Sequence, residues 1–205
     1  MKWAEILKSP PVLVTAPSIE PITLAEAKTH LRVEVTDDDD YIEDLLIPSA
    51  RWQVEHATSR ALINTVFDVT FDRFPEDREL TLPRWPLVSV TSVTSYDTSD
   101  VASTFAASKY LVDTANAPGR VILNDGQSWP SDLRRRNAGV IRFTAGYGTT
   151  AAAVTEKALW ARHAMLFLIG WWYARREPVA LGQLVNALPL TWDALIAPGR
   201  HYAIA

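Results

Sequence analysis

A stretch of 23 residues from Thr155 to Glu177, TEKALWARHAMLFLIGWWYARRE, limits what this chain can fold into more than any other part of it. Read as a helix, it begins where the Thr155 hydroxyl can accept a bond from an unpaired backbone N–H. It ends at Pro178, which has no N–H to donate. Such a helix would be about 35 Å long. Leu159, His163, Leu166, Phe167 and Gly170 form one stripe, Trp160, Ala164, Leu168 and Trp171 a second, and Met165, Ile169 and Trp172 a third. A helix apolar on every side has to be covered on every side. One domain of 205 residues does this with difficulty, so the pattern predicts that a neighbouring subunit covers Trp160, Trp171 and Trp172. A membrane span is the competing reading, and it fails on length. The run without charge or histidine, Ala164 to Ala174, has eleven residues, against the roughly 20 that a bilayer needs.

The length allows one large domain or two small ones with a real core. Hydrophobic content of 48% and charge of 21% are ordinary for a globular chain and exclude wholesale disorder. A net charge of −4 argues against a protein that wraps DNA by neutralising phosphates. Without cysteine there is neither a disulfide framework nor a thiolate metal site, which suits a reducing compartment. MKWAEILKSPPV lacks the apolar core expected of a secretory signal.

Along the chain, Pro10, Pro11, Pro17 and Pro21 predict an extended arm over residues 1–21, with Trp3, Ile6 and Leu7 as anchors. Residues 22–60 read as two helices. The first opens on a capping box, Thr23 with Glu26, and carries Leu24, Ala27 and Leu31 on its buried face to near Val33. The second opens on Asp37–Asp40, four carboxylates at the positive end of a helix dipole. A calcium loop counted from Asp37 would need glycine sixth and glutamate twelfth, where Ile42 and Pro48 stand. Pro48 should kink this helix by taking the partner of the Asp44 carbonyl.

From residue 61 to 150 the period is that of strands. Phe67, Val69 and Phe71 alternate with Asp68, Thr70 and Asp72. Glu79–Leu82, Leu87–Tyr96, Tyr110–Asp113, Arg120–Leu123 and Gly139–Ala145 complete five or six short strands, enough for one sheet. Residues 151–188 hold the long helix and, through Leu181, Leu184, Val185 and Leu188, a short one. Residues 189–205 form a tail. Helices, a β insertion and a long helix make an α+β chain, with two N-terminal helices, one long C-terminal helix and a mainly antiparallel insertion. In the tail, Leu188, Trp192, Leu195 and Ile196 fall on one helical face about two turns long. A helix that short is marginal alone, and the expectation is that this face docks on a partner.

Chemistry is hard to find. His30, His56, His163 and His201 stand singly, with no H-E-x-x-H. His163, on the apolar helix, reads as a satisfied core histidine. No serine sits in G-x-S-x-G. Gly146-Tyr147-Gly148 lacks the lysine of a P-loop and the third glycine of a dinucleotide fingerprint. Arg134-Arg135-Arg136 is the one dense basic run, able to touch DNA phosphates or an acidic partner, and more simply an exposed loop after Trp129-Pro130. No motif asks for a cofactor, a metal or a catalytic role.

Taken together, these segments resemble the head–tail connector (adaptor) proteins of long-tailed bacteriophages and gene-transfer particles. The likeness lies in Ile22–Lys28 with His30–Val33, Asp38–Ile42, Leu45–Arg51 and Thr58–Leu62. It continues in Leu82–Leu87 with Ser89–Val93, in Arg142–Gly148, and in Trp172-Tyr173 with Arg175-Arg176-Glu177. Gly199 stands where the resemblance leads one to expect an aromatic in the Pro-x-Arg tail, and Pro48 interrupts the second helix. The resemblance implies a structural virion protein at the head–tail junction, made in the host bacterial cytoplasm and not an enzyme. It implies a ring of about twelve copies, closed by rotation through a heterologous interface. Its partners would be itself, the portal, to which the tail residues would dock, and the next tail-side protein, a stopper or tail terminator. DNA would pass through the channel without specific binding, and no membrane is involved. Two other classes stay open on residues alone. An enzyme with an unrecognised site would need a pocket of convergent polar groups, and an architectural DNA binder would show salt-dependent duplex affinity.

Overall fold

The computed structural model describes residues 10–175 and 190–200. They divide into two compact units, a sheet unit from residues 10–17 and 64–146, and a helical unit from residues 18–63 and the segment from 147 onward.

The sheet unit holds β1 (Val12–Thr15), β2 (Thr65–Phe71), β3 (Glu79–Thr81), β4 (Leu87–Tyr96), β5 (Ala102–Thr104), β6 (Tyr110–Asp113), β7 (Arg120–Leu123) and β8 (Gly139–Ala145). They form two antiparallel sheets, in the orders β1-β2-β8-β4-β5 and β3-β7-β6, where the sequence suggested one sheet. The two strands beyond those expected are the most exposed. β1 and β5 each lack a buried residue, so the period-2 signal that a half-buried strand prints in its sequence is missing.

β2 and β8 pair from Thr65↔Ala145 to Phe71↔Gly139. Thr65, Phe67, Val69 and Phe71 are buried, as are Gly139, Ile141, Phe143 and Ala145 opposite them. Gly139 is needed there, since a Cβ would lie 2.2 Å from the Phe71 ring. On the outer face Asp68 stands opposite Arg142 and accepts two bonds from its guanidinium, at 2.8 and 2.7 Å, the bidentate geometry that arginine favours. β4 shifts register twice along β8, at Leu87/Ser89 and Val90/Ser92. Its first half therefore loses the alternation that Val93 and Ser95 recover. A run of aromatic contacts extends the packing, from Phe71 to Phe74 at 4.8 Å, Phe74 to Trp129 at 5.1 Å, and Trp129 to Phe105 at 5.7 Å.

The helical unit begins with α1 (Leu24–Leu31), whose capping box is present: Thr23 accepts from the Glu26 N–H and Glu26 from the Thr23 N–H. Arg32 ends the helix in the left-handed region, φ 58°. A π-helical segment, Tyr41–Leu46, leads into α2 (Ile47–Thr58). Pro48 lies in the first turn of α2, and the Ile47 N–H reaches back five residues to the Ile42 carbonyl. The widened turn accommodates the proline where a kink was expected.

The single long helix is corrected to two, α3 (Ala151–Lys157) and α4 (Leu159–Ala174). Ala158 breaks the run at φ −145° and ψ 47°. Thr150 caps α3 by accepting from the Ala153 N–H, and Thr155 lies inside that helix, donating to the Ala151 carbonyl. The described helices thus outnumber the two N-terminal helices and one long C-terminal helix of the expected core. Ala161, Ala164, Met165, Leu168 and Ile169 make the buried face of α4, packed in one core with Ile42, Leu46, Ile47, Ala50 and Val54. Each large aliphatic side chain so buried contributes about 1.5–3 kcal/mol.

α5 (Leu190–Ile196) returns to the same core, with Trp192 6% exposed and Ile196 fully buried. The tail thus folds onto its own unit. The apolar face expected to dock elsewhere is already covered at Trp192 and Ile196, with Leu195 packed against them. Leu188, the short helix through it, and the anchors Trp3, Ile6 and Leu7 lie outside the described residues, as does the Pro178 stop.

Candidate interaction surfaces

Among the described residues, three features of the helical unit and two of the sheet unit carry the most distinctive chemistry. In the helical unit, α1 and α4 frame a groove of about 320 Å³ lined by His30, His163, Phe167, Gly170, Trp171 and Arg175. Phe167 stacks on Trp171 at 6.3 Å, and the Arg175 guanidinium lies 3.8 Å over the Trp171 ring. Gly170 gives His30 room, because a Cβ there would come within 3.3 Å of its Nε2. His163 is exposed on this groove, which corrects its reading as a core histidine. The helix turns that stripe to the surface because the alanine and Leu168 stripe fills the core. Trp171 and Trp172 are half-buried, so the helix keeps apolar surface that its own unit does not cover.

Beside the groove, the Tyr173 hydroxyl donates to Asp38 at 2.6 Å. Lys28 pairs with Asp39 at 2.5 Å and donates to the Val35 carbonyl. Two of the four acidic residues are thus tied into the fold, in addition to standing at a helix start. Trp160, the third tryptophan assigned to a subunit contact, is half-buried at the tail. Its ring is where a Gly199 Cβ would be, 2.2 Å away, so glycine replaces the expected aromatic because Trp160 already fills the space. Arg60 locks this corner, donating to the Gly199 carbonyl at 2.7 Å and to the Tyr147 hydroxyl at 2.6 Å. Burial pushes the Tyr147 phenol up from its ordinary pKa, against the opposing pull of Arg60.

In the sheet unit the arginine run is largely occupied. Arg134 donates to Asp100 and to the Asn137 carbonyl and sits 4.0 Å over the Tyr96 ring. Arg136 pairs with Asp72 at 2.9 Å, and Arg135 is exposed. The second feature is β1, missed in the sequence. Val12, Leu13 and Val14 are 59%, 52% and 42% exposed at the end of a sheet. Its uncharged VLVT run was the available signal, masked by the prolines around it. Among the described residues no group of three or more histidines, aspartates or glutamates is placed to hold a metal. No described helix is long and apolar enough to cross a membrane.

A family model described as "Phage gp6-like head-tail connector protein" matches residues 21–116. No curated protein matches the chain. Among solved structures, the chain is similar to a component of the neck of an empty gene transfer agent particle computed with C6 symmetry. The TM-score is 0.78 and the identity 25%, over 96% of this chain and 98% of that one. It shares its fold with a chain of the virion of a native gene transfer agent particle, at TM-score 0.77 and 24% identity, over the same shares of the two chains. It shares it also with a chain of a native neck computed with C12 symmetry, at 0.70 and 23%, again over 96% and 98%. The chain therefore has the α+β fold of these neck and virion chains. Its residues 21–116 are similar to the head–tail connector family that the matching family model describes.

Proposed function

We infer that this protein is the structural neck component that joins the portal to the tail at the head–tail junction of a phage or gene-transfer particle. One observation carries the reading: the likeness at 25% identity to a neck chain runs through both units, over 96% of this sequence. A ring of twelve copies fits best, since a twelvefold ring contains the sixfold symmetry used for one neck relative and has the full symmetry used for another. Such a ring presents one face to the portal and the other to the next tail-side protein, a stopper or tail terminator. DNA passes through without specific binding, as the net charge of −4 favours. In the helical unit, part of the subunit contact runs over the uncovered surface at Trp171 and Trp172, with Trp160 held closer to its own tail.

Electron microscopy of the protein mixed with the portal of its own particle tests this. Rings stacked on the tail-side face of the portal are the expected result. Failure to bind, or binding as scattered single copies, would overturn it. An architectural DNA-binding role has less support, because Arg134 and Arg136 are engaged by Asp100 and Asp72.

A further inference from the structure

We propose that neighbouring copies join by continuing the five-stranded sheet, with β1 of one copy pairing in parallel with β5 of the next. The proposal rests on the ring reading above. Its starting point is β1, which among the described residues pairs with β2 on one side and ends the sheet on the other. All four of its residues are exposed, and Val12, Leu13 and Val14 offer apolar surface on both faces of the strand. Edge strands are usually protected by charge, by a covering element or by distortion, because their free N–H and C=O groups recruit other strands. β1 has no charged residue, and its only distortion is one register shift, between Leu13 and Thr15. It is an edge built to be covered.

Among the described residues the opposite edge, β5, pairs with β4 alone, over Thr94↔Thr104 to Tyr96↔Ala102. It too is uncharged and exposed, and Val101 beside it is 59% exposed. A heterologous ring needs two different surfaces that fit each other, and the two ends of one sheet are such a pair. Topology then fixes the direction. The sheet has five strands and every neighbouring pair is antiparallel, so β1 and β5 run the same way. A small rotation about a ring axis preserves that direction, and the new pair is parallel. Five strands at about 4.8 Å span roughly 24 Å, and twelve such copies close a girdle about 90 Å across.

The chain contains no cysteine, so disulfide trapping reads this contact on a clean background. Each of Val12, Leu13 and Val14 would be changed to Cys in combination with each of Ala102, Ser103 and Thr104. Adjacent strand residues lie within the Cα separation that a disulfide spans, about 4.4–6.8 Å. The double variants would be oxidised alone and on the portal, with the ring imaged in the same preparations. The proposal expects a ladder on a denaturing gel that runs beyond dimer toward the closed ring for at least one pairing. Each single variant, such as Leu13→Cys, would stay monomeric. Rings without a ladder in any pairing would overturn the sheet contact and leave the ring reading standing. Covalent dimers from single β1 variants would overturn it in favour of β1 against β1 across a twofold axis. Absence of rings, alone and on the portal, would overturn both readings.

Discussion

Replacing Trp192 with alanine separates a tail that belongs to the fold from one held ready for a partner. The indole is 6% exposed and shares a core with Ile196, Met165, Leu168 and Val54. Truncating a buried tryptophan costs about 3–5 kcal/mol, the lost transfer energy plus that of the cavity left behind. In a chain of this size each kcal/mol lowers Tm by about 2–4 °C, so Trp192→Ala should melt roughly 6–20 °C below the parent. Near-ultraviolet circular dichroism during heating reads the packing directly. Trp52, 60% exposed on α2, is the internal control: Trp52→Ala should change stability by no more than about 0.5 kcal/mol. If Trp192→Ala melted within 2 °C of the parent while losing attachment to the portal, the core assignment would be wrong and the tail would be the docking element first expected.

Other perturbations test other parts. Gly139→Ala, which drives a methyl into the Phe71 ring, should destabilise the sheet unit by about 1–3 kcal/mol in urea unfolding. A change below 0.3 kcal/mol would mean that the ring moves freely. Asp113 accepts from the Asn116 side chain and from Arg120, which lowers its carboxyl pKa to about 2 from an ordinary 3.8. Because the folded value is the depressed one, the contribution of this tether to stability is complete above the ordinary value and is lost as pH falls toward about 2. A side-chain carboxyl NMR titration should show a midpoint near 2, and one near 3.8 would refute the tether. Duplex DNA should bind feebly and without sequence preference, the more so after Arg135→Ala. Submicromolar affinity at physiological salt would refute the conduit reading.

How much of this was legible depended on burial. β7 and β8 could be bounded from sequence because buried residues alternate with less buried ones along them. β4 could be bounded by its β-branched composition despite two register shifts. β1 and β5 could not, since neither buries a side chain. The break at Ala158 is invisible because alanine is the best helix former, and tertiary packing overrides that preference. Pro48 was visible, but its outcome was not: a proline demands that a carbonyl be moved aside, without dictating whether by a bend or a π turn. The tail shows the same limit in another form. Its apolar face was read correctly, but a hydrophobic stripe records that something covers it and not what. The resemblance to head–tail connectors does not depend on these points, because it rests on the order of many short segments and on no single one of them.

The helical unit is made from two separated pieces of chain, with 64–146 of the sheet unit between them. During synthesis, therefore, Ile42, Leu46 and Ile47 leave the ribosome long before Met165 and Leu168, which will cover them. At about 5–20 residues per second, the insertion alone delays that closure by roughly 4–17 s. The intervening strands pair mostly with one another, so they can collapse first and bring residues 63 and 147 side by side, as the Tyr147 N–H bonded to the Leu62 carbonyl at 3.2 Å shows them in the finished protein. The nascent helices must meanwhile be shielded, which makes residues 18–63 the stretch on which a ribosome-bound chaperone would act.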